Sequence, residues 1–153
     1  MKIFDTIRTG QLDQLKEVLK NHPEELNLID ERGSTPLLLA AYIGRKDMVE
    51  EILKHDPLID ARDKAGNTTL MGVSFKGDME IAKLLIEHGA DINAINHNNA
   101  SALTYASAYG QTELVKLLLN EGAIKDQWDC ENKRPVNHAK ENGYDDIVAL
   151  LGK

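Results

Sequence analysis

The chain lacks the features on which several classes of protein depend. Among its 153 residues there is one cysteine, Cys130, so no internal disulfide can form, and we expect a reducing, cytoplasmic location. No apolar run approaches the roughly 18 residues of a membrane-spanning helix. The first residues include Asp5 and Arg8, where a secretory signal needs an apolar stretch. Secreted and membrane classes are therefore disfavoured.

Basic and aromatic residues are also scarce. Lys and Arg number 18 against 25 Asp and Glu, which gives a net charge of −7. A protein that binds the phosphate backbone needs a basic stripe, so we expect no nucleic-acid partner and no anionic membrane partner. Aromatics make up only 5% of the chain, whereas apolar residues make up 42%. The core of the single domain expected at this length must therefore consist of Leu, Ile, Val and Ala.

What the chain does contain is a period of 33 residues. A glycine, an Asp or Asn, an aliphatic residue and an acidic residue each recur at this spacing. These sets are Gly44, Gly77, Gly110 and Gly143; Asp30, Asp63, Asn96 and Asp129; Leu37, Leu70, Leu103 and Val136; and Asp47, Glu80, Glu113 and Asp146. Independent positions that agree on one period predict a protein built from stacked repeats.

Each repeat has the pattern of a turn, a short helix, a tight turn and a longer helix. Thr35 before Pro36 predicts a capped helix start, and Gly44 predicts its end. The acidic residue that follows falls in the first turn of the second helix, where its negative charge interacts favourably with the helix dipole. The expected buried faces of the second helices are Met48, Val49 and Ile52; Ile81, Leu84 and Leu85; and Leu114, Leu117 and Leu118.

These segments resemble ankyrin repeats. Residues 35–41, TPLLLAA, are similar to the family's Thr-Pro-Leu-His-x-Ala-Ala signature, and residues 83–94, KLLIEHGADINA, are similar to its second helix and loop. The resemblance implies an all-α solenoid of helix-turn-helix units joined by β-turn or hairpin-like fingers. It divides the single domain, 1–153, into an N-terminal capping unit at 1–29, full repeats at 30–62, 63–95 and 96–128, and a C-terminal capping unit at 129–153.

The two ends differ from the middle in the way that caps require. The first unit begins directly with a helix, expected at 2–9, and Lys140 stands where the other units have a small residue. Because terminal repeats need polar outer faces, this pattern predicts a complete array of five units.

Two departures from the family pattern affect the expected structure. The signature His is replaced by Leu38, Met71, Thr104 and Asn137, which implies that its hydrogen bond to the turn is lost. Gly72 lies in the middle of a predicted helix, where it costs up to about 1 kcal/mol relative to Ala.

No pattern typical of catalysis, cofactor binding or metal binding occurs, so we expect neither an enzyme nor a cofactor. His55 and His88 lie one period apart, but two histidines without supporting ligands rarely hold a metal. Cys130 has no second thiol with which to act in redox chemistry.

The resemblance instead implies a protein-protein interaction module that binds its partner through a concave face, and we expect it to be a monomer. Family contacts come from the turns and from the residues before the mid-repeat glycine. Arg62 and Trp128, which stand immediately before turns, are added to this set. The residues expected to bind a partner are therefore Arg32, Tyr42, Ile43, Arg62, Lys64, Phe75, Lys76, His97, Tyr109 and Trp128. Exposed aromatics make good binding anchors. The alternative is a small-molecule or metal-binding accessory module that uses His55 and His88 or a pocket near Trp128.

Overall fold

The computed structural model describes residues 2–152, which form ten α-helices and one short 3₁₀-helix at Pro23–Glu25, with no strand among them. The predicted all-helical repeat architecture is confirmed. The α-helices are α1 Lys2–Arg8, α2 Leu12–Asn21, α3 Pro36–Ile43, α4 Lys46–Leu53, α5 Thr69–Lys76, α6 Met79–Glu87, α7 Ala102–Ala108, α8 Thr112–Asn120, α9 Pro135–Glu141 and α10 Asp145–Leu151.

The first helix of each repeat begins and ends where its local sequence requires. The hydroxyl of Thr35 accepts the backbone N–H of Leu38, which satisfies one of the free donors at the start of α3. Thr68 does the same for α5. Gly44 follows α3 with a φ of 88°, a left-handed conformation that glycine adopts without a Cβ clash. The predicted helix boundaries are therefore set by cap chemistry.

The second helices bury a face slightly different from the predicted one. Ala82 in α6 and Val115 in α8 are fully buried, whereas Leu84 and Leu117 are only partly buried. Leu84 and Leu117, which were predicted to be buried, therefore pack against the core without being fully covered. The observed buried positions follow an i, i+1, i+4 pattern in α4, α6 and α8 alike, because one side of each helix faces both its own partner helix and the neighbouring unit.

The helices stack in two rows, with α1, α3, α5, α7 and α9 in one row and the remaining α-helices in the other. The first row packs more extensively than the second. Small buried residues permit this close approach, and they include Ala41, Ser74 and Ser107. Lys140 occupies the same register in α9 and is exposed.

One set of hydrogen bonds joins the loops that follow the second helices. The side chain of Asn27 accepts the backbone N–H of Leu58, at 2.9 Å. Asp60 and Asn93 repeat this contact one and two units later, to the N–H groups of Asp91 and Ile124. The polar residue at this register therefore satisfies a backbone donor of the next unit.

A second set joins the ends of the first helices. Three carbonyl oxygens that these helices leave free each accept a side-chain donor from the following unit. These pairs are Tyr42 with Lys76, Phe75 with Gln111, and Ala108 with Asn142. Adjacent units are thus held in register along both edges of the stack.

Replacing Asn93 tests the contribution of these contacts to stability. Its side chain accepts the N–H of Ile124 at 2.8 Å and donates to the carbonyl of Gly122 at 3.1 Å. We expect Asn93→Ala to lower the free energy of unfolding by about 1–2 kcal/mol, measured by urea denaturation. Asn98→Ala is the matched control because Asn98 is exposed and bonds only through its backbone. Equal stability of both variants would contradict this role for Asn93.

Candidate functional site

The turns and first helices form one surface that carries two open pockets, and we call it the inner face. The larger pocket has a volume of 790 Å³ and lies over α3 and α5. The smaller one, of 480 Å³, lies over α7 and α9. Pockets of this size are typical of sites that accept side chains or small molecules.

The structure brings together six of the ten residues expected to bind a partner. The larger pocket is lined by Arg32, Tyr42, Ile43, Phe75 and Lys76, and the smaller one by Tyr109. The other four, Arg62, Lys64, His97 and Trp128, line neither pocket. All ten lie at the surface.

Three aromatic side chains follow one another along the inner face. Tyr42, Phe75 and Tyr109 keep 68%, 46% and 50% of their surface exposed. The ring centres of Phe75 and Tyr109 lie 4.4 Å apart, and the ring planes meet at an angle of 57°, which is a favourable tilted arrangement. The ammonium group of Lys76 lies 4.9 Å from the centre of the Tyr42 ring. These contacts hold the rings in place while their outer surfaces remain available.

Trp128 is separate from this aromatic set. Its ring is 53% exposed, and the guanidinium of Arg134 lies 5.0 Å from its centre. This cation–π contact lies beside the last turn and outside both pockets. The smaller pocket is nevertheless lined by Asp129, Cys130 and Glu131, the three residues that follow Trp128 in the chain.

Three of the four Lys and Arg residues that were predicted to bind a partner donate hydrogen bonds to backbone carbonyls. Lys64 donates to Glu31 at 2.9 Å, and Lys76 donates to Tyr42. Arg62 donates to two carbonyls, those of Gly66 and Ile95. The guanidinium of Arg32, by contrast, has no hydrogen-bond or ion-pair partner within residues 2–152. These basic side chains therefore serve mainly to hold neighbouring turns together.

An Asp or Asn organises each turn of the inner face. One side-chain oxygen accepts two backbone N–H groups of the turn, which replaces the hydrogen bonds a strand would supply. For Asp63 the donors are Ala65 and Asn67, both at 2.9 Å. Asp30, Asn96 and Asp129 make the same pair of contacts in the other three turns.

The second side-chain atom of this Asp or Asn meets a different partner in each unit. Arg8 donates to Asp30 at 3.3 Å, Asn96 donates to the hydroxyl of Tyr105 at 2.7 Å, and a ring nitrogen of His138 donates to Asp129 at 2.5 Å. At the signature position itself, Thr104 and Asn137 accept the backbone N–H groups of Ser101 and Arg134. One residue later, Tyr105 and His138 supply the side-chain contact to the turn in the last two units.

Position 72 corresponds to Tyr105 and His138 but is occupied by glycine. The larger pocket opens at Gly72, and Asp63 lies on its lining. As a result, Asp63 is only half-buried, whereas Asp30, Asn96 and Asp129 are buried. From the sequence, Gly72 was interpreted only as a residue that destabilises its helix. An alignment of the four units shows glycine where the next two units have Tyr105 and His138, and this difference in side-chain size is the signal that indicates a pocket.

Tyr105 forms one wall of the pocket and belongs to a polar network. The amide of Asn96 donates to the Tyr105 hydroxyl at 2.7 Å and to Asn67 at 2.8 Å. Burial raises the pKa of the Tyr105 phenol, although the hydrogen bond from Asn96 acts in the opposite direction. The hydroxyl also donates to the side-chain oxygen of Asn67 at 3.4 Å.

The histidines of the alternative metal hypothesis make contacts within their own helices. His55 bonds Glu51 at 3.3 Å, and His88 donates to the carbonyl of Leu84 at 2.8 Å. Within residues 2–152 the one cluster of three potential ligands is His22, Glu24 and Glu25, which lies at the surface beside α2. Cys130 is free and exposed, as expected.

Comparison with known families identifies the class of protein that this architecture defines. A family model described as ankyrin repeats (3 copies) matches residues 3–96 and 70–153. The matches together span nearly the whole sequence, so the chain belongs to the ankyrin-repeat family. Members of this family are generally protein-protein interaction modules and typically non-catalytic. Within residues 2–152 no helix has the length and apolar character that crossing a membrane requires.

The contacts of Asp129 give its carboxyl group an altered pKa. Burial by itself would raise this pKa, but hydrogen bonds from His138, Lys133 and Glu131 outweigh burial and lower it. A carboxyl group whose pKa is lower in the folded state stabilises the fold above its unfolded pKa, and this stabilisation is lost as the pH falls through the folded pKa.

Asp129→Asn tests this contribution because it keeps an oxygen for the turn and removes the charge. We expect a loss of about 1 kcal/mol in the free energy of unfolding at neutral pH. The difference from the native protein should begin to shrink as the pH falls below the ordinary aspartate pKa of about 3.9 and should vanish only below the lowered pKa of the folded state, as seen in urea denaturation across pH. Asp63→Asn should cost less, because among the described residues no side chain bonds the second oxygen of Asp63. A difference that persists in acid would exclude a charge effect.

Proposed function

We propose that this protein is a non-catalytic module that binds another protein through its inner face. The observation that carries this proposal is the row of exposed aromatics Tyr42, Phe75 and Tyr109. Aromatic side chains bury a large area and have few rotatable bonds, so they dominate the binding energy of many interfaces. Trp128 and the exposed basic residues extend the contact area beyond the pockets.

The rigidity of the frame supports this function. The side chains of Lys76 and Gln111 bond the ends of the preceding first helices and so fix the spacing between units. A partner that docks on such a surface loses little free energy in ordering it. Binding therefore proceeds by docking onto a preformed face, with the protein acting as a monomer in the cytoplasm.

A triple substitution separates binding from folding. Tyr42→Ser/Phe75→Ser/Tyr109→Ser removes the exposed rings while the buried core stays intact, so we expect the fold to persist and partner capture to fall at least tenfold, about 1.4 kcal/mol or more. The measurement is affinity capture from a lysate of the source organism, followed by titration of the captured protein. Circular dichroism checks the fold.

The matched control is Ile29→Ser/Leu58→Ser/Ile124→Ser. These three side chains are also exposed and apolar, at 58%, 65% and 52%, but they line neither pocket. The control should capture the partner as the native protein does. Equal capture by the aromatic variant and the native protein would place the interface elsewhere.

A second candidate function is the binding of a small molecule in the 790 Å³ pocket. A volume of this size lies within the range of ligand sites. A ligand present at 100 times its dissociation constant would raise the free energy of unfolding by about 2.7 kcal/mol. Thermal unfolding with a panel of common metabolites, zinc and nickel measures this effect. The absence of any shift would exclude a tight ligand from that panel.

A further inference from the structure

We propose that the pocket at Gly72 receives an arginine side chain of the partner protein, with Asp63 as its counter-ion. This inference rests on the proposed function and names the chemistry that the inner face recognises. In three of the four equivalent turns, a side chain of the protein itself contacts the second polar atom of the Asp or Asn.

Gly72 is not required by the backbone. It lies within α5 in a normal helical conformation, and a Cβ atom added there would meet only the Leu38 side chain, at an ordinary contact distance of 3.7 Å. A larger residue would therefore fit the helix, and it would also strengthen it. The physical effect of glycine at this position is to leave space on the inner face.

The space exposes a carboxylate that has no counter-ion. The second oxygen of Asp63 has no hydrogen-bond or ion-pair partner within residues 2–152, whereas Asp30 is paired with Arg8 and Asp129 with His138. In the remaining turn, Asn96 is neutral and bonds Tyr105. Asp63 is thus the one half-buried charge in this register that a ligand can neutralise.

The cations near the pocket do not neutralise Asp63. Arg8 is engaged by Asp30 at 3.3 Å and by Asp5 at 3.9 Å. Lys76 donates to the carbonyl of Tyr42 and lies over its ring. Arg32 is exposed at the rim beside Glu31, where water screens it. The net charge of −7 further favours a basic ligand.

The walls suit the rest of an arginine side chain. Leu38 and Leu39 offer apolar contact for its methylene groups, and Tyr42, Phe75 and Tyr105 offer aromatic rings for its planar head. The first unit shows the same pairing within the chain, since the guanidinium of Arg8 meets Asp30 there and lies 5.8 Å from the centre of the Phe4 ring. Arginine forms a charge-assisted bond to a carboxylate and stacks on rings, which lysine does less well.

The test uses a matched pair of peptides on the full-length protein. The first probe is acetyl-leucyl-arginyl-leucine amide, and the second replaces arginine by citrulline, which has the same shape and no charge. Titrations followed by ¹H–¹⁵N NMR should show the arginine peptide shifting the amides of Asp63, Gly72 and Tyr105. The citrulline peptide should bind at least about tenfold more weakly.

Variants assign the binding to this pocket. Asp63→Asn should weaken the arginine peptide at least about tenfold and retain the fold, because asparagine occupies the same register at Asn96. Gly72→Tyr should abolish binding by filling the space as Tyr105 does in the next unit. Gly72→Ala should raise the free energy of unfolding and still admit the peptide. Asp13→Asn removes an equal charge at an exposed position of α2 and should leave binding unchanged.

Several outcomes would overturn the proposal. Equal affinity of the two peptides would exclude recognition of charge, and unchanged binding by Asp63→Asn would exclude Asp63 as the counter-ion. If free arginine amide bound as tightly as the peptide, the ligand of this pocket would be a small guanidinium compound and not an arginine side chain of a protein. The proposed function fails separately: capture insensitive to the aromatic variant refutes that function, whereas capture lost in that variant but kept in Asp63→Asn refutes only the arginine site.

Discussion

Stacking between adjacent helix pairs is the interaction on which every other feature of this molecule depends. Its α-helices are only 7 to 10 residues long, and an isolated helix of that length is unstable in water. Each pair therefore becomes stable only when its neighbours cover its apolar faces. The small residues in the first helices allow this close packing, and the side chains of Asn27, Asp60 and Asn93 each bond a backbone donor of the next unit.

The turn residues connect this stack to the binding surface. An Asp or Asn holds each turn through one oxygen, which leaves its second polar atom directed to the inner face. In the last two units the residue at position 105 or 138 then determines what that atom meets, whereas Asp30 pairs with Arg8 of the preceding unit. Tyr105 and His138 close the site, whereas Gly72 opens it. One repeat frame thus carries different local chemistry, because substitutions at this register change the surface without changing the stack.

Much of the fold could be predicted because the determinants are local or periodic. Thr35 and Gly44 mark helix ends through capping and backbone conformation, which depend on neighbouring residues alone. The buried faces were less predictable: Leu84 and Leu117 pack against the core but are only partly buried, whereas Ala82 and Val115, which were not predicted, are fully buried. The exposed aromatics were predicted by position, whereas the contacts of Arg62 with the Ile95 carbonyl and of Lys64 with the Glu31 carbonyl depend on the distance between units.

The sequence alone determined the family, the period, the helix caps and the position of the aromatic row, since each follows from residue types at fixed spacing. Only the tertiary structure decided which charges are paired. Arg8 and Asp30 belong to different units, and nothing in their sequence separation indicates an ion pair. The open pocket at Gly72 and the carboxylate of Asp63 on its lining likewise arise from four neighbouring units packing together, because a missing side chain becomes a cavity only when its surroundings are in place.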